Sequence, residues 1–448
     1  METLCEILLI ANDLSAFESP RPLASDLEIA ANLLPNAEYF SQGDYDRDIA
    51  RTVYLLSDLA PDAEGTSLPE LGRRLRELLG SDLITAVDLA LGCFSRVVAA
   101  DVESVPEYPV PLIRASDFAT TTVPVEAANV FLESISATEE ELAASIRERG
   151  PQLGDVTVFR ETPLVRLGDS YLVLDVGFVL DKAGKGLFWS AVKNAPSRER
   201  DELLVRWGSL FELYVNDLLA GSLGGCSVLM RNPKFSDGAQ ACDAVVIEGR
   251  TLVVLEHKAS TIRAAVRYAD DPNVLKRELE DRFVTGDGQR RKGLAQLWNA
   301  VDRFARGERI FGGARDAGVC ARDVDTIVPV LVHLDNVLRT PGLPHYLAAR
   351  FKEFGRVKSH TLLPLTTLPI SELEDVEGYL RDHQLREIIE SFQGLLRSDR
   401  TSVFLARTLP ILQGRPWRLG STLQRFKEYL DQFHQRLFPD GPTRTLGY

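Results

Sequence analysis

Apolar residues recur along this chain in two rhythms, and the change from one to the other divides it. Over the first ~150 residues the spacing is helical. Leu68-Pro-Glu-Leu-Gly-Arg-Arg-Leu-Arg-Glu-Leu-Leu79 repeats leucine at helix intervals, and Gly80 follows as a C-terminal stop. Thr138 and Glu141 stand at capping-box spacing and open a helix that runs to Gly150. Between them Val105-Pro-Glu-Tyr-Pro-Val-Pro111 reads as an extended connector. After Gly154 the runs shorten. Val156–Phe159, Leu164–Leu167 and Tyr171–Val179 read as strands, with Gly168-Asp169-Ser170 as a hairpin turn.

A charged helical stretch begins at Ser197, passes through Glu212 to Leu219, and ends at Gly221, Gly224 and Gly225. Three apolar runs at strand spacing follow: Cys226–Arg231, Ala241–Ile247 and Leu252–Lys258. A helix is predicted over Gln289–Arg306, a strand over Thr326–Leu334, and a fifth strand over Leu362–Leu368. From Ile370 the chain is helical again, apart from a Pro/Gly-marked break at Leu409–Gly420. The segments are therefore an N-terminal region (1–154), a hairpin connecting segment (155–196), an α/β unit with a mixed-sheet core flanked by helices (197–370), and a helical C-terminal region (371–448).

The 448 residues carry a net charge of −14, unevenly placed. Residues 1–150 hold 10 Lys+Arg against 27 Asp+Glu and not one lysine; the remaining residues hold 41 against 38. The first third is poorly suited to a phosphate backbone and is expected to meet a protein partner or a second copy of the chain. The rest is open to nucleic acid. No apolar run reaches the ~18 to 20 residues of a membrane span, and the N-terminus is acidic where a signal peptide needs positive charge. Five scattered cysteines without CxxC spacing read as reduced thiols in a cytoplasmic protein. The P-loop motif GxxxxGK[S/T] is missing, so any translocation along DNA would come from a partner.

The turn Glu248-Gly249-Arg250-Thr251 joins two apolar strands, and Gly first in a two-residue loop is the type II′ preference. With Gly249-Arg250 as the loop, Asp243 stands directly opposite Glu256, and Lys258 shares its face. Two adjacent carboxylates repel unless a cation or proton sits between them. Hard oxygen ligands of this kind suit Mg²⁺ or Mn²⁺. A structural ion cluster at a strand end is the alternative.

Asp243, twelve residues, then Glu256-His257-Lys258 resembles the PD-(D/E)xK nuclease superfamily, which includes restriction endonucleases. Glu256-x-Lys258 is the one acidic-x-Lys triplet in a chain of ten lysines. Glu212, in Phe211-Glu-Leu-Tyr-Val215, matches the glutamate of the helix before the first core strand. Gln296, in Lys292-Gly-Leu-Ala-Gln-Leu297, matches the glutamine of the helix after the third strand in exonuclease-like members. Ala241-Cys242 departs from the pattern, which carries proline before the aspartate.

The resemblance covers residues ~200–340 and implies a restriction-endonuclease-like fold and Mg²⁺-dependent phosphodiester hydrolysis, in DNA before RNA. It implies Asp243, Glu256 and the His257 backbone carbonyl as metal ligands, joined by Glu212, with Lys258 and Gln296 completing the catalytic set. Defence of a bacterium against foreign DNA follows by analogy. Arg290, Arg291, Lys292, Arg303 and Arg306 lie on or before the polar face of the 289–306 helix, where they could track phosphates. A catalytically silent nucleic-acid-binding or scaffold protein of the same fold is the competing expectation.

Overall fold

The computed structural model describes residues 25–36, 44–59, 73, 77, 82–103, 112–149, 155–269, 271–286, 292–312, 318–397, 403–413 and 420–437. At its centre lies a mixed sheet whose strands are Ser227–Arg231 (β1), Ala244–Glu248 (β2), Thr251–Lys258 (β3), Thr326–His333 (β4) and Thr366–Pro369 (β5). β1, β2 and β3 form an antiparallel meander, and β4 then joins β3 in parallel. Thr361–Leu362 and β5 both pair in parallel with β4. The fifth strand expected over Leu362–Leu368 is thus two short pieces on one neighbour.

Register follows from the turn. Glu248 pairs with Thr251, Gly249 takes φ +60°, and Arg250 keeps a negative φ. That is the II′ pattern, and a side chain at position 249 would be strained there. Every residue of β3 from Thr251 to His257 is buried, which explains why Leu252-Val-Val-Leu255 runs apolar without alternation: the strand is covered on both faces.

One face, through Val246, Val253, Leu255 and Val330, packs on the helix Ser197–Ser222 and on the helices Ile370–Glu377 and Leu385–Arg397. The other, through Val245, Leu252, Val254 and Leu331, packs on Leu294–Ala305, Leu343–Glu353 and Pro272–Leu279. The result is a mixed α/β architecture with helices on both sides of the sheet.

The N-terminal residues are woven into this body. Leu55 and Leu56 enter the first core, and Ala30, Ala31 and Leu34 the second. A third core gathers the helix Leu83–Glu103, the segment 113–137, the hairpin Leu164–Leu167/Ser170–Val173, and the C-terminal helix Ser421–Leu437. The hairpin pairs with Leu112–Ile113 and, in parallel, with Ser136–Ala137, so its two strands share a small sheet with N-terminal segments, while Phe188, Ala191 and Val192 enter the first core.

A buried ion network ties the chain ends together. Arg51, on the helix Tyr45–Val53, forks onto Glu374 with two 2.7 Å bonds. It also bonds Asp48 at 2.7 Å. Tyr214 donates to the same Glu374 at 2.5 Å and shares a 2.7 Å bond with Thr422. Arg436 and Tyr429 both bond Asp88.

Two expected strands are helical. Thr157–Phe159 of the expected strand Val156–Phe159 lies in the helix Thr157–Glu161, and Asp155 just before it accepts the Thr157 N–H at 2.9 Å in a local turn. Tyr171–Val179 divides into the strand ending at Val173 and a helix, Val176–Asp181, capped by Asp175 on the Phe178 N–H at 3.0 Å. The Thr138–Glu141 capping box forms reciprocally, at 2.8 and 3.2 Å. The leucine repeat 68–79 lies outside the described residues except for Arg73 and Glu77, a helical ion pair; the 105–111 connector lies outside them. Among the described residues no helix is long and apolar enough to cross a membrane, and Cys93, Cys226, Cys242 and Cys320 are unpaired.

Candidate active site

Sheet pairing brings Asp243 and Glu256 together, since Ala244 opposes Leu255 one position further in. Asp243 sits just before β2, 3% exposed. Its Oδ2 accepts the backbone N–H of His257 at 2.7 Å and its Oδ1 accepts from Gln240 at 3.2 Å. Asn232, in the left-handed region at φ 46°, donates its N–H to the Asp243 carbonyl at 2.9 Å. N–H and C=O of one strand residue leave on the same edge, so the His257 carbonyl also turns toward Asp243.

Glu256 is fully buried. Its Oε1 accepts from Lys258 Nζ at 2.6 Å, and its Oε2 has no hydrogen-bond partner among the described residues. Burial pushes the Glu256 carboxyl up to about 8; Asp243 and Glu212 add to the rise and Lys258 opposes it. Burial pulls Lys258 the other way, but Glu256 and Asp243 outweigh it, so the ammonium titrates above its ordinary value. Glu212, half-buried on the helix Ser197–Ser222, is raised to about 7, first by burial and then by Asp243. Three carboxyls and one ammonium therefore share a field with more acid than base, as a divalent cation would need.

Three carboxyls in a common field are not yet a metal shell. Among the described residues, no three His, Cys, Asp or Glu side chains form a group that could hold a metal ion as they stand. What fits a cation is the pairing itself: an orphaned buried oxygen on Glu256, Asp243 opposite, and a carbonyl on the same edge.

His257 points to the other face, buried, with neither ring nitrogen bonded among the described residues, and burial lowers it to about 4. Its imidazole is neutral and away from the cluster. His333 ends β4 beside the cluster. It pairs in register with Lys258, and parallel register puts both side chains on one face. Its Nδ1 lies 3.0 Å from the Asp335 carbonyl, its Nε2 is unbonded among the described residues, and burial lowers it to about 4. Gln240, which positions Asp243, carried no sequence signal at all.

The helix Leu294–Ala305 packs on the face of β3 that carries Glu256. Gly293 opens it at φ +53°, where a Cβ would lie 1.9 Å from the Phe283 carbonyl oxygen, so only glycine fits. Gln296 is half-buried on the first turn and hydrogen-bonds none of Asp243, Glu256 or Lys258. Arg303 is committed to Glu308 and Asp237 and lies 3.9 Å over the Phe235 ring. Arg306 pairs with Asp302 at 2.9 Å. Lys292 is exposed, and Arg290 and Arg291 lie outside the described residues. The basic face expected on this helix is thus already occupied at Arg303 and Arg306.

Comparison of the chain with models of known families, with characterised proteins and with solved structures finds no match.

Proposed function

We propose that the chain is a Mg²⁺-dependent nuclease of the PD-(D/E)xK kind, with a restriction-endonuclease-like core, cutting DNA in preference to RNA. One observation carries the reading: Asp243, Glu256 and Lys258 converge at the end of the β2–β3 hairpin, and Glu256 keeps an unsatisfied buried oxygen. Burying such a group costs several kcal/mol unless something pairs with it. The topology supports the reading, since an antiparallel hairpin carries the acids and a parallel strand follows across a helical connection. The cysteines, none paired among those described, suit a reducing cytoplasm.

Asp243, Glu256 and the His257 carbonyl would hold the cation, with Glu212 completing the set directly or through water. When bound, Mg²⁺ or Mn²⁺ polarises the scissile phosphate and acidifies a water. Lys258 donates toward the phosphorane oxygen as negative charge builds there, or orients the attacking water. A P–O bond forms to the water oxygen as the bond to the leaving sugar oxygen breaks; the water's proton goes to solvent or a neighbouring carboxylate, and the alkoxide takes one up. Gln240 holds Asp243 at the required angle. Gln296, on the adjoining helix, would meet a phosphate oxygen.

The second reading, a silent nucleic-acid-binding scaffold, draws on the 2.6 Å Lys258–Glu256 pair, which closes the cluster on itself. Incubation of the full chain with plasmid, linear, single-stranded DNA and RNA substrates, with Mg²⁺, Mn²⁺ or chelator, tests both. Metal-dependent cleavage supports the nuclease; binding without cleavage under every condition supports the scaffold.

A further inference from the structure

Beyond the ends of β3 and β4 the chain forms a half-open cavity of about 530 Å³, within the range of roughly 300–1,000 Å³ typical of small-molecule sites. One wall is core: residues 261–264 leaving β3 and 334–337 leaving β4. The other wall is N-terminal: the helix Thr157–Glu161 and the segment 181–200. None of Asp243, Glu256, Lys258 or Glu212 lines it. Its position outside the carboxyl ends of parallel strands is where open α/β sheets receive ligands.

The lining holds seven Lys and Arg against three Asp and Glu. All three acids are already engaged: Asp181 with Arg160 at 2.9 Å, Glu161 with Lys193 at 2.8 Å, and Asp335 with Arg267 at 3.2 Å. Lys185 and Arg263 are paired with Asp48 and Glu278, outside the lining. Among the described residues two of these cations form no ion pair, although Asp181 and Glu161 act on Lys182 through space. Arg200 donates only to main-chain carbonyls, at 3.2 Å to Val192. Lys182, 6% exposed, hydrogen-bonds no protein acceptor among the described residues. Burial lowers Lys182 to about 8 and Asp181 offsets only part of that, so a further anion in the cavity would stabilise the ammonium.

Trp189, half-buried, lines the same cavity, packed edge-on against Phe188 at 5.3 Å. An indole can stack a nucleobase. Ser190 and Asn194 add neutral hydrogen-bonding groups nearby. A largely buried cation that shares Asp181 with Arg160, a second cation at the rim and an aromatic ring together suit an anion attached to a flat ring.

We propose that this cavity binds a nucleotide phosphate, with Lys182 and Arg200 on the phosphate and Trp189 against the base. The nucleotide is either free or the terminal residue of a strand. The assignment goes beyond the nuclease reading and does not require it, because the cavity contains none of that site's residues.

The test is calorimetric titration of the full chain in chelator, so that no cleavage contributes. The probes are the four 5′-mononucleotides, their nucleosides, inorganic phosphate, and a single-stranded decanucleotide with and without a 5′-phosphate. At least one mononucleotide, or the phosphorylated decanucleotide, should bind tenfold or more tighter than its unphosphorylated counterpart. Lys182→Met, which removes a buried charge and keeps the volume, should weaken that binding at least tenfold, and Trp189→Leu should do the same. Tight mononucleotides identify a free ligand; binding of the phosphorylated strand alone identifies a strand end. Absence of any phosphate-dependent binding overturns the proposal, as does binding that both variants leave unchanged. A loss caused equally by Glu256→Gln would place the ligand in the candidate active site and overturn it too. Retained binding in a chain that cleaves nothing would leave this proposal standing while the nuclease reading fell.

Discussion

Asp243 Oδ2 accepts the backbone N–H of His257 at 2.7 Å, so a side chain takes over the hydrogen bond that another residue of β2 would otherwise provide. The aspartate therefore has two duties, closing the hairpin ladder and offering oxygen to a cation, and the two can be separated.

Asp243→Asn keeps an acceptor for the His257 N–H and removes the charge, while Asp243→Ala removes both. The alanine variant is expected to lose on the order of 1–3 kcal/mol of stability, the cost of stranding a buried N–H; the asparagine variant should lose less. Both should bind Mg²⁺ more weakly. Thermal melts with and without Mg²⁺ on the two variants check this. Equal stability in both would remove the structural duty.

Glu212 and Glu256 titrate near 7 and 8 in the folded chain, against about 4.5 for an ordinary glutamate. The folded state thus binds more protons than the unfolded one, and its stability falls as pH rises. The contribution is fully present below about 4.5 and is lost through about 8. Lys258, raised above its ordinary value, changes little over that window. Melting of the metal-free protein from pH 5 to 8 should show the decline, and Glu256→Gln should flatten it. Mg²⁺ should stabilise more at pH 8 than at pH 6, because binding displaces protons. A decline unchanged in Glu256→Gln would contradict the burial of that charge.

Arg51 and Glu374 are separated by 323 residues and joined by two 2.7 Å bonds in the interior. Removing one partner of such a pair costs about 3–5 kcal/mol, since the other charge stays buried. Arg51→Met should show that loss, and Arg51→Met/Glu374→Gln should recover much of it. Chemical denaturation of the single and double variants measures the coupling; additive losses would argue against it.

Removal of residues 1–154 strips Leu55 and Leu56 from the first core and Arg51 from Glu374. It also takes Asp88 from Arg436 and Tyr429. The remaining 155–448 fragment should be aggregated or poorly cooperative. Circular dichroism and sedimentation of the fragment decide the point; a monomer with a sharp melt would show that the N-terminal residues are an appendage.

The candidate site was legible because its geometry is local. Gly249-Arg250 sets the loop, the loop sets the register, and the register puts Asp243 opposite Glu256. The Leu252–Leu255 run announced a strand covered on both faces. Short apolar runs misled where a local turn intervened, as at Val156–Phe159, where Asp155 accepts the Thr157 N–H and the last three residues are helical. Long-range partnerships left no trace: neither Arg51 with Glu374 nor the walls around Lys182 have a spacing that marks them. The polar face of Leu294–Ala305 looked free because the sequence does not reveal that Glu308 and Asp237 claim Arg303.

The most direct measurement compares metal binding with cleavage in Lys258→Ala. Deleting the ammonium leaves the carboxylates in place, so Mg²⁺ should bind as tightly as before or more tightly. Cleavage of DNA in Mg²⁺ should fall on the order of 10²-fold or more, as when another preorganised donor is lost from a transition state. Calorimetry and a cleavage assay on the same folded sample read both quantities. Wild-type cleavage that survives in Lys258→Ala, or a wild type that cuts no nucleic acid with any divalent cation, would return Asp243, Glu256 and Lys258 to a structural ion cluster.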